Sequence, residues 1–265
     1  GTIADVFVVK TNSSGDVVWK KRFGGSDRDE SNQIIQTSDN NFIMAGYTYS
    51  NDGDFSGATK GQSDAWVLKL DATGTKVWNK TYGGSSDDRF YNIIEKNGKY
   101  LVLGATGSNS NDFQSPYPQS GLLSIINADG TLGTSYYYDA FMSIFEIRRT
   151  EYSVAQNGDI IWTSVSNTGD TKRFNMFTRI NGSNYTARYK KKYNGTVATG
   201  SGFSRSITTL NDGSIVFVGS GGDSTLDYLN IPGFKSGMLG AVFMTRVTDG
   251  IAGINTQEND VKSII

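Results

Sequence analysis

The sequence predicts an all-β fold, a five-bladed β-propeller whose blades are four-stranded antiparallel sheets. Three observations lead to this prediction. The phrase WKKRFGGS at residues 19–26 returns as WNKTYGGS at residues 78–85, and weaker copies follow at a period of about 55 to 60 residues. Each copy holds four strand-length apolar runs, and no segment keeps a 3.6-residue period. Repeats of this length are typical of propellers, whereas a solenoid coil would be shorter and a sandwich would not repeat its sequence.

The four runs of each copy are named A to D, and in the first complete copy they include Ile34, Phe42, Trp66 and Val77. Asn-Gly or Asp-Gly pairs between runs A and B are the strongest short signal for a hairpin. Glycines between runs C and D supply the positive φ of a tight turn. The glycines are Gly98, Gly158 and Gly213 in the A–B turns and Gly15, Gly74 and Gly130 in the C–D turns.

The copies set the predicted blades at residues 26–84, 85–139, 140–195 and 196–254. The chain opens with runs C and D alone, and its last residues, ENDVKSII, resemble the run A sequence DDRFYNII at residues 87–94. We therefore predict a fifth, composite blade of residues 255–265 plus 1–25, which lacks a strand and closes a single domain, residues 1–265. Circular closure removes exposed sheet edges. The recurring aromatic of run D is predicted to pack between neighbouring blades.

Composition excludes several classes of function. The 265 residues include no His and no Cys, which excludes thiol catalysis, His-based triads and the usual Cys/His zinc sites. With 25 basic and 26 acidic residues, the chain lacks the basic surplus of a nucleic-acid-binding protein. The sequence contains no run of about 18 apolar residues, so it predicts no transmembrane segment.

The repeated motif GGSxxD…DGxxIxAGxTxSNDGD…DxWVxKLDxxGxxxWxKxYGG resembles that of exported propeller-repeat proteins of the Bacteroidetes, many of them lipoproteins or large surface and secreted proteins. The match is sharpest over residues 26–54 and 64–88. The resemblance implies an extracytoplasmic protein, in the periplasm, on the outer-membrane surface or secreted, with a lipid anchor upstream of this sequence. It implies no particular activity. We expect a monomer.

The B–C loops and the D–A crossovers share one face of the predicted propeller if run A is innermost. Function concentrates on loops that a rigid scaffold holds in place. We therefore predict that this face binds a glycan or a surface protein through exposed rings and acidic side chains, without catalysis. The residues selected for this role are Tyr117, Tyr228, Phe234, Asp54, Asp112 and Asp223.

Two other interpretations of the acidic residues stay open. Asp52 and Asp54 could hold calcium, although an Asx-rich turn explains the same sequence. Two carboxyl groups in the central funnel could make the protein a glycoside hydrolase or a lyase. The candidate acids for that activity are Asp29, Asp88, Glu146 and Asp260. Most of these acids lie at repeated positions, which favours a structural role in bracing the Gly-Gly turn, and Asp27 and Asp87 are assigned the same role.

One position of run C carries a cation in four copies. Because a periodic charge is more typical of a structural ion pair than of a ligand site, we predict an edge or inter-blade salt bridge there. The residues are Lys10, Lys69, Arg179 and Arg246.

Overall fold

The structure is a computed structural model that describes residues 4–56, 60–117, 119–139, 151–167, 173–194, 203–221 and 241–247. These residues form seventeen β-strands and a 3-10 turn, Gly53–Phe55. In chain order the strands are β1 (Val6–Thr11), β2 (Val17–Phe23), β3 (Asp29–Gln36), β4 (Phe42–Thr48), β5 (Asp64–Leu70), β6 (Lys76–Tyr82), β7 (Asp88–Lys96), β8 (Lys99–Thr106), β9 (Ser120–Ile126), β10 (Leu132–Asp139), β11 (Glu151–Val154), β12 (Ile160–Asn167), β13 (Arg173–Ile180), β14 (Ala187–Asn194), β15 (Phe203–Thr209), β16 (Ile215–Gly221) and β17 (Ala241–Val247). Among the described residues, no helix is long and apolar enough to cross a membrane.

The strands form five sheets in which chain neighbours pair antiparallel. Sheet I is β1-β2, sheet II is β3-β4-β5-β6, sheet III is β7-β8-β9-β10, sheet IV is β11-β12-β13-β14 and sheet V is β15-β16-β17. The all-β prediction is confirmed, and sheets II, III and IV have the predicted order A, B, C, D. Residues 255–265, which are expected to complete sheet I, lie outside the described residues, so the closure and the count of five blades stay predictions.

The chain divides into two compact units, Gly1–Ala140 with sheets I to III and Phe141–Ile265 with sheets IV and V. The single domain stays a prediction.

The turns have the backbone that their sequences predict. Asn97 and Gly98 both have positive φ, 52° and 71°, between the paired residues Lys96 and Lys99. This is the two-residue turn whose twist matches that of the flanking strands. In the C–D turns, Gly74 and Gly130 adopt φ of 80° and 84°.

Apolar faces join the sheets of the first unit. Sheet I contributes Val6 and Phe23 to a cluster with Trp66 and Leu68 of sheet II. The opposite face of sheet II packs on sheet III in a second cluster, which includes Val67. Sheets I and II are therefore each covered on one face by the next sheet along the chain.

The recurring tryptophan of run D lies between neighbouring sheets, as predicted. Trp19 of sheet I contacts Phe42 of sheet II edge-on, with ring centroids 5.9 Å apart. Trp78 of sheet II packs on Tyr100 of sheet III in the equivalent place, with tilted rings whose centroids lie 6.4 Å apart. A Cβ atom on Gly74 would lie only 3.0 Å from the Trp19 ring. The C–D turn therefore needs glycine for two reasons: its φ is positive, and a side chain would come too close to the neighbouring indole ring.

Two of the periodic cations of run C, Lys10 and Lys69, contact the next sheet. Lys69 Nζ of sheet II lies 2.7 Å from Asp39 Oδ2 in its own sheet and 3.0 Å from the Tyr100 hydroxyl of sheet III. In sheet I, Lys10 Nζ lies 5.4 Å from the centroid of the Phe42 ring. The salt bridge of Lys69 therefore stays within its own sheet, and the contact with the next sheet is the hydrogen bond to Tyr100, so Lys69 does not form the predicted salt bridge between blades.

The second unit repeats the same local design. In sheet IV, Arg179 Nε lies 2.9 Å from Asp159 Oδ2, in the turn between β11 and β12. Sheet V contacts sheet IV through β15 and β11, where the Thr209 amide donates to Ser153 Oγ at 3.1 Å. The side chain of Arg246 lies outside the described set.

Candidate functional site

The D–A crossovers of the first unit are held by side chains that accept hydrogen bonds from four successive backbone amides. We call residues 24–27 the first glycine turn and residues 83–86 the second glycine turn. In the first glycine turn the donors and acceptors are Gly24 N to Asp54 Oδ2 (3.2 Å), Gly25 N to Asp29 Oδ2 (2.9 Å), Ser26 N to Asp52 Oδ1 (2.6 Å) and Asp27 N to Ser50 Oγ (3.0 Å). Three of these four acceptors are carboxylates.

The second glycine turn repeats the arrangement with two carboxylates and two hydroxyls. The contacts are Gly83 N to Asp112 Oδ2 (3.0 Å), Gly84 N to Asp88 Oδ2 (2.7 Å), Ser85 N to Ser110 Oγ (3.2 Å) and Ser86 N to Ser108 Oγ (3.0 Å). Because crossover amides lack the partners that a sheet provides, these side chains supply the acceptors that the backbone requires.

Asp29 and Asp88, the acids considered for catalysis, are the innermost acceptors of the two turns. Asp88 is fully buried and also accepts from Thr106 Oγ1 at 2.5 Å and Ser108 Oγ at 2.8 Å. Burial raises the pKa of Asp88 to about 6, against the opposing effect of these hydrogen bonds. Burial raises the pKa of Asp29 in the same way. The two acids lie in different crossovers, and each accepts a hydrogen bond from its own glycine turn.

The Gly-Gly pair is required by the closeness of these acceptors. A Cβ atom on Gly25 would lie 2.4 Å from Asp52 Oδ1, and one on Gly84 would lie 2.5 Å from the Ser110 carbonyl oxygen. Real Cβ contacts are not that short, so any other residue would push the loop away from the turn. The motif GGSxxD followed by TxS thus encodes one structural unit, a turn and its acceptors.

The acids predicted to bind a ligand are also engaged in this unit. Asp54 Oδ1 lies 2.8 Å from Lys76 Nζ, and Asp112 forms an ion pair with Lys60. Asp52 and Asp54 accept from different amides of the first glycine turn. The described residues contain no group of three or more acidic side chains arranged to hold a metal ion.

Exposed groups of the predicted binding face lie on the loop between β8 and β9. Tyr117 is 38% exposed, and Asn109, Asn111 and Gln114 are exposed beside it in the sequence. A half-exposed ring with neutral amide groups suits the apolar faces and hydroxyl groups of a sugar. The remaining predicted site residues lie outside the described ranges: Tyr228, Phe234, Asp223, Glu146 and Asp260.

Sequence reasoning missed a polar cluster around Arg89 of β7. The guanidinium donates to the Tyr49 hydroxyl at 2.7 Å and to Asp87 Oδ1 at 3.1 Å, and it lies 4.5 Å from the centroid of the Tyr47 ring. Asp87 was expected to brace the Gly-Gly turn; instead it pairs with Arg89 and with Ser63, whose Oγ donates to it at 2.5 Å. The sequence did hold one signal for this cluster: the position of Arg89 carries the opposite charge in the first copy, where it is Glu30.

A second missed residue is Asp64, the first residue of β5. Its side chain is fully buried against the second glycine turn. Burial raises the pKa of Asp64 to about 7, and the nearby carboxyl groups of Asp88 and Asp112 act in the same direction, against the Lys60 amide, which donates to Asp64. The sequence motif contains this aspartate in both copies, as Asp5 and Asp64, but nothing in the spacing indicates its burial.

No protein-family model and no curated protein matches the chain. Among solved structures, the chain is similar to a mutant of the NanB sialidase from Streptococcus pneumoniae, with 12% identity, a TM-score of 0.50 and coverage of 79% of this chain and 31% of that one. NanB with Optactamide gives 12% identity and a TM-score of 0.51, over 78% and 31% of the two chains. A protein of unknown function from Bacteroides caccae gives 13% identity and a TM-score of 0.42, over 78% and 61%.

The chain thus spans less than two thirds of the length of each of these structures. At this level of identity, the similarity to the sialidase propeller bears on the fold alone. Together with the repeated four-stranded sheets, it supports a β-propeller fold.

Proposed function

We propose that this protein is a non-catalytic, exported binding module, a five-bladed propeller that recognises a glycan through the face formed by its B–C loops and D–A crossovers. The observation that carries this proposal is the use of the repeated acids. Asp29, Asp52, Asp54, Asp88 and Asp112 all accept hydrogen bonds from the glycine turns. The acids of the motif therefore stabilise the loops of this face. The exposed neutral groups of the face are the ones available to bind a ligand.

The proposed ring is supported by the outer face of sheet I. Phe7 is 68% exposed and Val9 is 41% exposed, whereas the equivalent residues of sheet II, Trp66 and Leu68, are buried against sheet I. A closed ring would cover Phe7 and Val9 with the preceding blade, and residues 255–265 would complete sheet I. Large apolar side chains at an uncovered sheet would otherwise favour aggregation.

A glycan array with the full chain tests the proposed ligand class. We expect binding that falls about fivefold or more in Tyr117→Ala, because stacking on one ring contributes on the order of 1 kcal/mol or more. Tyr185→Ala is the control, because Tyr185 lies in the β13–β14 turn, a C–D turn and so at the other end of its sheet from a B–C loop. An array without ligands, or equal binding by Tyr117→Ala and the unmodified protein, would contradict glycan recognition at this loop and favour a protein partner.

Carboxylate-dependent glycoside hydrolysis or lysis is the second candidate function, since the pKa of Asp64 and of Asp88 is raised, as in a general acid. However, a general acid must come within hydrogen-bonding distance of its substrate. Both side chains have an exposed fraction of 0%. Turnover of fluorogenic glycosides by the unmodified protein that is abolished in Asp88→Asn, with the folded state retained, would establish the enzyme instead of the binding module.

A further inference from the structure

The Asp64 carboxyl group is buried at the junction between sheets II and III. Its Oδ2 accepts a hydrogen bond from the Lys60 amide at 3.0 Å. Its Oδ1 is buried and has no hydrogen-bond partner among the described residues. That oxygen lies against the backbone of Gly83, where a Cβ atom would come within 2.3 Å of it. A charged oxygen in this position would be desolvated without compensation.

The charged groups around Asp64 do not compensate for its charge. Asp88 at the start of β7 and Asp112 in the β8–β9 loop are carboxyl groups, and both repel a charge on Asp64. Lys60, in the loop before β5, is the nearby cation and acts to lower the pKa of Asp64, but its Nζ is paired with Asp112, and the pKa stays raised. Asp64 is therefore near two carboxyl groups and one ammonium group, and the ammonium group is already paired with Asp112.

The first copy of the repeat contains the same contact between an aspartate and a glycine, but there the aspartate has an arginine as its ion-pair partner. Asp5 is packed against Gly24, where a Cβ atom would lie 2.5 Å from the Asp5 Cγ atom. Arg22 forms an ion pair with Asp5. Fifty-nine residues on, the position of Arg22 is occupied by Thr81. Threonine has no charge, so the second copy lacks the cation that the first copy provides.

We propose that the junction between sheets II and III is pH-sensitive: Asp64 packs against Gly83 in its uncharged form, and loss of its proton weakens the junction. Asp88 is the partner that carries the negative charge. It accepts three hydrogen bonds, from Gly84, Thr106 and Ser108, whereas Asp64 accepts one. Hydrogen bonds to a carboxylate favour its ionised form. The two acids thus behave as a coupled pair in which Asp64 keeps the proton longer.

The direction of the pH effect follows from the raised pKa of Asp64. The folded protein keeps this proton up to about pH 7, whereas the unfolded chain releases it near pH 3.8, the ordinary pKa of an aspartate. The stability that depends on the proton is therefore fully present below pH 3.8, falls as the pH rises, and is lost once the pH has passed 7. For one group with these values, linkage gives a roughly tenfold rise in the unfolding constant between pH 6 and pH 8.

Urea unfolding of the full chain at pH 6, 7 and 8 tests the proposal, with a carboxyl ¹³C NMR titration of Asp64 as a direct readout. We expect the unfolding constant to rise roughly tenfold or more across this range, and most of the rise to disappear in Asp64→Asn. A roughly twofold rise should remain, because burial raises the pKa of Asp88 to about 6.

Thr81→Arg is the second variant, because it copies Arg22 of the first repeat and does not remove a core group. We expect it to flatten the pH profile by stabilising the protein at pH 8. Asp5→Asn is the matched control, and its pH profile should keep the slope of the unmodified protein. A slope that persists in both Asp64→Asn and Thr81→Arg, or an Asp64 carboxyl signal that titrates near pH 4, would overturn the proposal. If Asp64→Asn does not fold, Thr81→Arg and the titration decide.

Discussion

Replacing Asp88 by alanine should destabilise the protein more than any other truncation of a repeated acid. Asp88→Ala removes the acceptor of three donors, the Gly84 amide and the hydroxyl groups of Thr106 and Ser108. A buried donor without a partner costs about 1–3 kcal/mol. The two hydroxyl groups can rotate toward other acceptors, whereas the buried Gly84 amide cannot. We therefore expect a loss of about 2–4 kcal/mol in the free energy of unfolding.

The equivalent change in the first copy gives an internal comparison. Asp29 accepts from Gly25, Thr48 and Ser50, but Gly25 is only half-buried, so water can replace part of the lost contact. We expect Asp29→Ala to cost about 1–2 kcal/mol. Asp16→Ala is the control for an exposed acid whose described side-chain contacts stay within one turn, and it should cost less than about 0.5 kcal/mol.

Urea denaturation at pH 8, where the Asp88 carboxyl group is ionised in the unmodified protein, measures all three variants under the same conditions. The midpoints should shift with little change in the slope, since the substitutions change stability and not the surface exposed on unfolding. A cost for Asp88→Ala equal to that of Asp16→Ala would show that the glycine turns do not depend on their carboxylate acceptors.

Three further substitutions test the junctions and the turns. Gly46→Ala should cost more than about 3 kcal/mol or abolish folding, because the new Cβ atom would lie 1.9 Å from the Glu30 carbonyl oxygen; circular dichroism and urea unfolding measure this. Trp78→Ala should cost about 2–4 kcal/mol by removing the indole between Gly130 and Tyr100, and near-ultraviolet circular dichroism should change with it. Gly98→Ala should cost about 1 kcal/mol in the same unfolding assay, because φ is +71° there but the space around a Cβ atom is open; a neutral result would contradict the strained turn.

Much of the fold could be predicted because the sequence states it more than once. A single Asn-Gly pair or a single tryptophan indicates little, but their return at a fixed period predicts a repeated hairpin and a repeated contact. The strand order A to D, the turn at Asn97 and Gly98, and the place of Trp78 between two sheets follow from that period. Local propensity and the long-range pattern agree at these positions, which is why the prediction succeeds there.

The candidate site was less predictable, because the same residue types serve structure and chemistry. Asp88 and Asp87 are neighbours in the sequence, yet Asp88 holds a glycine turn and Asp87 pairs with Arg89. Alternation along a strand sends adjacent side chains to opposite faces, and only the surrounding sheets decide what each one meets. Similarly, burial of Asp64 depends on Gly83, a residue from another part of the repeat.

A crystal structure of residues 1–265 would test the proposed ring most directly. We predict that it shows five sheets, with residues 258–265 hydrogen-bonded as a strand in the same sheet as β1 and β2, and with Phe7 and Val9 covered by the preceding blade. A structure in which residues 258–265 lie apart from β1 and β2, or in which the number of sheets is not five, would contradict the closed propeller.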